Sequence, residues 1–447
     1  MRAELAQIVG SEHVLPGDTR QYLHDSTETR ALSGHADAVV LPGSAEEVAA
    51  VLGWCYAKEV ALVPRGGGTG YAGGAVPQGG VVLSLERLNR VRSFAPLLWR
   101  MEVEAGVTTA EIRRLARENG LLFPPDPGAT EQSQIGGNIS TNAGGPHAFK
   151  YGVTGAWVTG LEAVIPPGDL VTTGGPVRKD VAGYDLKSLL IGSEGTLGIV
   201  TAAWLRLVPA PEAAFPVAAF YTGVRAGCDA IERVVGSGLQ ASALEYFDSG
   251  ALAAAGGAFP GGVPAGAGFM VIAEADGSAE EAARLRDEIV AALEEDALGV
   301  AVPAPAELWR WREGMAFAAI AQRGGKVGED IVVPLERLGE AIEESTAIAR
   351  RNDLAVASWG HAGDGNLHTN FLVSLEDPDE LARAARGAEE MFELALRLGG
   401  SVSGEHGLGL LKRDHARWPE RTLALQLAIK QVFDPKGLLN PGKKLPM

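Results

Sequence analysis

Pro64-Arg65-Gly66-Gly67-Gly68-Thr69-Gly70-Tyr71-Ala72-Gly73-Gly74 follows the apolar triplet Ala61-Leu62-Val63. Consecutive glycines let peptide N–H groups converge on phosphate oxygens with no Cβ in the way, so the run reads as a phosphate cradle. Gly68 to Gly73 even satisfies the literal spacing G-x-G-x-x-G. That spacing marks a dinucleotide fold only where a helix follows, and here Val76-Pro77-Gln78-Gly79-Gly80 leads into another strand-like run. The Rossmann reading fails on this context, and the Walker reading fails because no Gly-Lys-Ser/Thr follows. A glycine-rich hairpin stays as the plain structural alternative.

The chain has 447 residues, enough for two or three domains with their own cores. Its 46% apolar and 21% charged residues describe a folded globular protein. A net charge of −17, with basic residues scattered, argues against a nucleic-acid partner. Cys55 and Cys228 stand far apart, so redox chemistry here needs a bound cofactor rather than an iron–sulfur cluster or a disulfide framework. The first thirty residues have no basic-then-apolar leader pattern, and the uncharged run Ser249–Ala273 is broken by Pro260, Pro264 and glycines. We therefore expect no transmembrane segment and a cytoplasmic location, with peripheral attachment to a membrane through a partner left open. The run 249–273 reads as a mobile loop entering a strand at Gly268–Ile272.

Residues 1–36 read as a helical lead-in. Strand-like Ala38–Leu41, a helix over 45–58 and Ala61–Val63 then form a β-α-β unit. Further strands are expected at 80–85 and 100–105, and a helix over 108–119 between Thr108 and Gly120. Residues 124–152 are too long and too poor in apolar side chains for an ordinary connection. Strands at 157–165 and 197–208 end at Pro209-Ala210-Pro211, the expected main boundary. Beyond it, helices near 224–237, 278–295, 335–351 and 379–398 alternate with strands near 217–221, 268–275, 329–333, 354–359 and 367–373. Helices segregated from an antiparallel sheet make this second half α+β.

Two more glycine-rich stretches follow the first: Ile135-Gly136-Gly137-Asn138-Ile139-Ser140-Thr141-Asn142-Ala143-Gly144-Gly145, and Gly192-Ser193-Glu194-Gly195-Thr196-Leu197-Gly198-Ile199-Val200-Thr201. Late in the chain, His361-Ala362-Gly363-Asp364-Gly365-Asn366-Leu367-His368 and Ser403-Gly404-Glu405-His406-Gly407 hold three of the eight histidines. Two imidazoles and a carboxylate make a common ligand set for a divalent metal that keeps positions open for substrate. The alternative is a hairpin turn at Asp364-Gly365-Asn366 with structural histidines. Asn370 lies two residues past His368, on the same strand face.

Together the three glycine-rich segments resemble the signatures of FAD-linked oxidases of the vanillyl-alcohol-oxidase type, which carry a PCMH-type FAD domain. The resemblance covers nearly the whole chain. It implies an α+β protein: after the lead-in 1–36, a two-subdomain FAD-binding domain over 37–211, then a substrate domain over 212–447 whose last segment returns to the FAD domain. The pyrophosphate would rest on Arg65, Gly66, Gly67, Gly68, Thr69 and Gly70. The flavin would lie beside Asp126, Pro127, Gly136, Gly137, Asn138, Thr141, Ala143, Gly144, Glu194, Gly198 and Ile199. Some members attach the flavin to a histidine in the first loop. The matching position here is Thr69, so FAD is expected to be non-covalent.

The histidine motifs and the ending Phe433–Lys443 resemble the branch of D-lactate dehydrogenases, the glycolate oxidase FAD subunit and D-2-hydroxyglutarate dehydrogenase. Carried over residue by residue, the resemblance implies His361, His368 and Glu405 as ligands of a divalent metal (Zn, Mn or Fe) and His406 as the base. Trp309-Arg310-Trp311-Arg312 resembles the W-x-x-R segment of that branch and nominates Arg312 for the substrate carboxylate, against a plain solvated helix face. Asn370 and Lys326 are further substrate candidates. Ala316 stands where the 2-hydroxyglutarate enzyme carries a polar residue, which favours lactate or glycolate over the dicarboxylate. The expected partners are a small 2-hydroxy acid and an electron acceptor or partner redox subunit. Two rival readings remain: a cofactor-binding subunit that only docks in a complex, and an oxidase of phenolic or sugar alcohols, which would not need His361 and His368.

Overall fold

The computed structural model describes residues 1–27 and 32–446. The chain forms two compact units: unit 1 comprises residues 1–144, 153–210 and 405–447, and unit 2 comprises 145–152 and 211–404.

Unit 1 contains a four-stranded sheet of β1 (Val14–Pro16), β2 (Ala38–Val40), β3 (Leu62–Arg65) and β4 (Val81–Ser84), in the order β1-β2-β4-β3. β2, β4 and β3 are mutually parallel, and parallel neighbours need a crossover element. The helix Ala45–Lys58 supplies it between β2 and β3. It begins where Ser44 Oγ accepts from the Glu47 N–H at 3.2 Å, and it ends on Glu59 in the left-handed region. Its buried face (Val48, Val51, Leu52, Cys55) packs with Leu62, Val81 and Leu83 of the sheet. The other strands of the unit are β5 (Val91–Ala95), β6 (Arg100–Glu104), β7 (Leu121–Leu122), β8 (Val158–Ile165), β9 (Asp169–Gly174), β10 (Ile199–Arg206) and β11 (Val208–Pro209). Five of them form an antiparallel sheet in the order β5-β6-β10-β8-β9, while β7 pairs with β11.

Unit 2 is built on β12 (Ala213–Tyr221), β13 (Ala243–Asp248), β14 (Phe269–Gly277), β15 (Gly299–Ala301), β16 (Gly325–Val332), β17 (Ala355–His361) and β18 (Asn366–Val373). They form one antiparallel sheet ordered β15-β12-β14-β13-β17-β18-β16. On one face Phe247, Met270, Ile272 and Trp359 pack with Leu252, Leu308, Trp311 and Met315, which come from the helices Ser249–Ala255, Pro305–Glu313 and Met315–Arg323. Alternate residues such as Phe269 turn to the opposite face, toward Gly227 of the helix Val224–Gly236. With helices on both faces, β13 and β14 are buried almost throughout, with no alternation of buried and exposed positions for the sequence pattern to reveal.

Several expectations need correction. Within the lead-in over 1–36, the α-helix spans only Arg2–Val9, because Gly10 turns to φ 89° and the chain enters β1 at Val14; residues 28–31 lie outside the described residues. The glycine-rich stretch at 135–145 is not bare loop at its start but a helix, Ile135–Thr141, with Ile135 and Ile139 buried. The run 249–273 opens as the helix Ser249–Ala255, whose Ala251, Leu252 and Ala255 are buried. That helix, poor in charge and rich in alanine and glycine, is stabilised by its cap and its burial rather than by an amphipathic pattern. Asp248 Oδ1 accepts from Ala251 N–H at 2.8 Å and from Ser358 N–H at 2.9 Å.

Burial raises the Asp248 carboxyl to about 6, against the opposite pull of the Ser358, Ala251 and Gly250 peptides. A carboxyl raised in the folded state contributes fully to stability only below its unfolded value near 3.9, and that contribution is lost as pH rises through its folded value. Asp248→Asn keeps an oxygen for both peptides and removes the charge. It should therefore raise Tm relative to wild type at about pH 8 and much less at about pH 4, by an amount on the order of 3 kcal/mol at the higher pH. Thermal melts at the two pH values check this, and an equal effect at both would refute it.

Candidate active site

Unit 1 contains an open cleft lined by residues of all three glycine-rich stretches. β3 runs directly into Gly66–Gly70, so the floor of the cleft is the C-terminal end of a parallel strand. Gly67 is required by close approach, since a Cβ there would lie 2.1 Å from the Gln132 carbonyl oxygen. Gly68 is required by conformation, at φ 69°. The opposite wall is formed by Gly136, Gly137, Asn138, Ser140, Thr141 and Ala143 of the helical segment, with Glu194, Gly195, Gly198 and Ile199 from the third glycine-rich stretch.

The C-terminal segment completes this unit. Leu62 N–H donates to Leu438 O (2.9 Å) and Asn440 N–H to Leu62 O (2.7 Å), adding the chain beside β3. Asn440 Nδ2 then donates to Gly74 O at 3.1 Å and to Glu194 O at 2.7 Å, tying the first glycine loop to the third. Glu194 itself accepts from the N–H groups of Leu408 (2.8 Å) and Gly409 (2.7 Å). Those bonds seat the turn that carries Glu405 and His406 into the cleft, where the His406 ring lies 4.8 Å from the Tyr71 ring. Asp25 also lines the cleft; it is 3% exposed, and Thr27 N–H and Oγ1 donate to its Oδ1.

In unit 2 a polar group sits at one end of the apolar face. Glu245 and His361 are cross-strand neighbours on β13 and β17, and His368 lies on β18 opposite Trp359. His361 Nδ1 pairs with Glu245 Oε1, and His361 Nε2 comes within 3.4 Å of His368 Nε2 with the rings at 87°. Arg312 places Nε and Nη2 each 2.9 Å from Glu245 Oε2. Burial alone would raise the Glu245 carboxyl, but His361 and Arg312 outweigh it and hold it at about 2. The two tryptophans aim the arginine: Trp309 Nε1 donates to Glu274 Oε2 (2.6 Å), and Trp311 Nε1 donates to Ala255 O (2.9 Å). On β16 and β18, Lys326 Nζ donates to Asn370 Oδ1 at 2.7 Å. The convergence of two imidazole Nε2 atoms, one on a ring whose Nδ1 faces a carboxylate, is the donor chemistry that suits a cation.

Comparison with known proteins decides the family. The family model "FAD linked oxidases, C-terminal domain" matches residues 210–444, and the model "FAD binding domain" matches residues 36–174. The chain belongs to the FAD-linked oxidases. It is 34% identical to the glycolate oxidase subunit GlcD of Bacillus subtilis (99% of this chain, 96% of that one). It is 36% identical to the D-2-hydroxyglutarate dehydrogenase of Xanthomonas citri pv. viticola (96% and 93%). It is 33% identical to the D-lactate dehydrogenase of Anaerostipes hadrus (97% and 95%). Among solved structures, 4-ethylphenol oxidase from Gulosibacter chungangensis shares the fold at a TM-score of 0.81 and 19% identity, over 99% of this chain and 96% of that one.

In this FAD-linked oxidase, most residues expected at the cofactor line the cleft: Arg65 through Gly70, Pro127, Gly136, Gly137, Asn138, Thr141, Ala143, Glu194, Gly198 and Ile199. Asp126 and Gly144 are not among its lining residues. Arg65 lines it, yet its guanidinium donates to His24 O (2.6 Å) and Gln21 O (2.9 Å) and so fastens the N-terminal segment. Asn138 likewise donates to Thr109 Oγ1 at 2.6 Å. Of the substrate and metal candidates, unit 2 gathers His361, His368 and Arg312, pairs Lys326 with Asn370, and unit 1 places Glu405 and His406 in its cleft. Asp25, Glu245 and Asn440 were not singled out from sequence. An acidic residue inside the apolar run Ala243-Leu244-Glu245-Tyr246-Phe247 was the available signal for Glu245.

Asn440→Ala removes two hydrogen bonds to carbonyls of the first and third glycine-rich loops, a loss of about 1–3 kcal/mol. We expect FAD to bind roughly tenfold more weakly, read as free flavin fluorescence after ultrafiltration. Unchanged retention would show that the loops hold their spacing without Asn440.

Proposed function

We propose that the chain oxidises a small 2-hydroxy acid, D-lactate or glycolate, to the 2-oxo acid with FAD held non-covalently. The observation that carries this reading is the meeting of His361 and His368 nitrogens at 3.4 Å beside the Arg312–Glu245 pair. Glycolate oxidase and D-lactate dehydrogenase relatives at 33–34% identity over nearly the full chain support it.

In this reading the remaining N–H groups of Arg312 bind the substrate carboxylate in a charge-assisted pair, and Asn370 and Lys326 orient the rest of the molecule. His406 takes the hydroxyl proton as a neutral imidazole, and its tilted contact with the Tyr71 ring orients it. A divalent cation (Zn, Mn or Fe), when held by His361, His368 and Glu405, supplies a Lewis acid for the hydroxyl oxygen. FAD, when bound, supplies the acceptor for the α-hydrogen as hydride. Thr69 offers no imidazole for flavin attachment. Electrons then leave to an acceptor or partner redox subunit, with a cytoplasmic location. Among the described residues no helix is long and apolar enough to cross a membrane. D-2-hydroxyglutarate is the second reading, favoured by the 36% identical dehydrogenase and by Lys326 as a second cation beside Asn370.

Anaerobic addition of D-lactate, L-lactate, glycolate or D-2-hydroxyglutarate should bleach the flavin band with one of the small acids and fail after chelator treatment. His406→Ala should slow bleaching at least 100-fold while the flavin remains bound. Bleaching indifferent to the chelator and to this substitution would overturn the mechanism, and bleaching by D-2-hydroxyglutarate alone would select the second reading. Acid precipitation should release FAD into the supernatant; flavin that stays in the pellet would overturn non-covalent binding.

A further inference from the structure

Glu245 is fully buried on the sheet face that also carries Phe247, and each of its oxygens serves a different neighbour. Oε1 faces His361 Nδ1, and Oε2 takes both Nε and Nη2 of Arg312 at 2.9 Å. A carboxylate in such surroundings is costly unless compensated, and its two partners are the imidazole and the guanidinium that the proposed function uses. The fold brings them from distant places: β13, the end of β17 and the last turn of the helix Pro305–Glu313. Phe247 on β13 and Trp311 next to Arg312 lock the two elements together, with ring centroids 5.0 Å apart.

We infer that Glu245 is the positioning residue that couples cation binding to substrate-carboxylate binding, holding His361 and Arg312 in register from a single buried carboxylate. By accepting from Nδ1, it sets the imidazole tautomer whose Nε2 lone pair points toward His368. By accepting from Nε and Nη2 it spends one edge of the guanidinium and presents the other, which is planar and oriented, to an anion. Neither partner can be moved without disturbing the other, because the carboxylate is rigidly packed. This inference rests on the proposed roles of His361 and Arg312.

The test uses the full-length, FAD-loaded chain with Glu245→Gln, which preserves volume but turns one accepting oxygen into a donor against a donor. Two readouts are needed: Zn²⁺ affinity measured by competition with a chromophoric chelator, and KM against kcat for the acid that bleaches the flavin. We expect Zn²⁺ affinity to fall 10–100-fold and KM to rise about tenfold, with FAD content unchanged. Glu245→Asp, which keeps the charge but reaches less far, should fold as wild type and weaken both quantities to a lesser degree. It gives the same comparison should the glutamine variant lose its flavin. Wild-type Zn²⁺ affinity and KM in a folded variant would overturn the coupling role and leave the proposed function standing. A wild-type chain that binds no Zn²⁺ would instead overturn the metal reading itself, and with it the His361 half of the inference.

Discussion

At Gly67 the first glycine loop passes so close to the carbonyl of Gln132 that even a methyl group has no room. That contact of backbone with backbone fixes the first glycine loop against the segment that precedes the helix Ile135–Thr141, and much of unit 1 holds that loop in place. The parallel strands β3 and β4 deliver the loop from below, Arg65 anchors it to the N-terminal segment, and Asn440 ties it across to Glu194. Peptide N–H groups are fixed in space in this way, whereas flexible side chains would lose rotamer freedom on each binding event. A site made of backbone also constrains sequence in an uneven manner, strictly where a Cβ would collide and loosely elsewhere.

Unit 2 solves a different problem. Its sheet is covered by helices on both faces, so every polar group inside must bring its own partner. Glu274 shows the pattern: it accepts from His147, Ser242 and Trp309. Glu245 shows it with consequences for chemistry. A charge enclosed in apolar surroundings fixes the geometry of whatever neutralises it, so rigidity and reactivity arise from the same desolvation.

The legible part of the sequence was the part where local chemistry is distinctive. Capping by Thr108, the β-α-β opening, the antiparallel second half and the glycine-rich lining of the cleft could all be read from residue types and spacing. Three things resisted. The helix Ser249–Ala255 is short, alanine-rich and glycine-flanked, and it forms because tertiary burial overrides its weak intrinsic signal. The helix Glu420–Phe433 has no buried residue, so no apolar stripe marked it. Asn440 and Glu245 act across separations of hundreds of residues or across a sheet, and their roles depend on pairings that no local pattern encodes. Arg65 lines the cleft as expected, and the bonds of its guanidinium to two carbonyls of the N-terminal segment are a second role that the sequence did not show.

The pairing of Leu62 with Leu439 has a bearing on how the molecule comes into being. During synthesis from the N-terminus, the strand that carries the first glycine loop emerges early, and its neighbour emerges only after the whole of residues 211–404. The nascent chain can therefore fold unit 2 before unit 1 is closed, and the closing step is a contact of very long sequence separation, which is intrinsically slow. Until then the first and third glycine-rich loops lack the Asn440 tie, so the cleft takes its final form late in maturation, and a chain halted before Asn440 leaves the two loops unlinked.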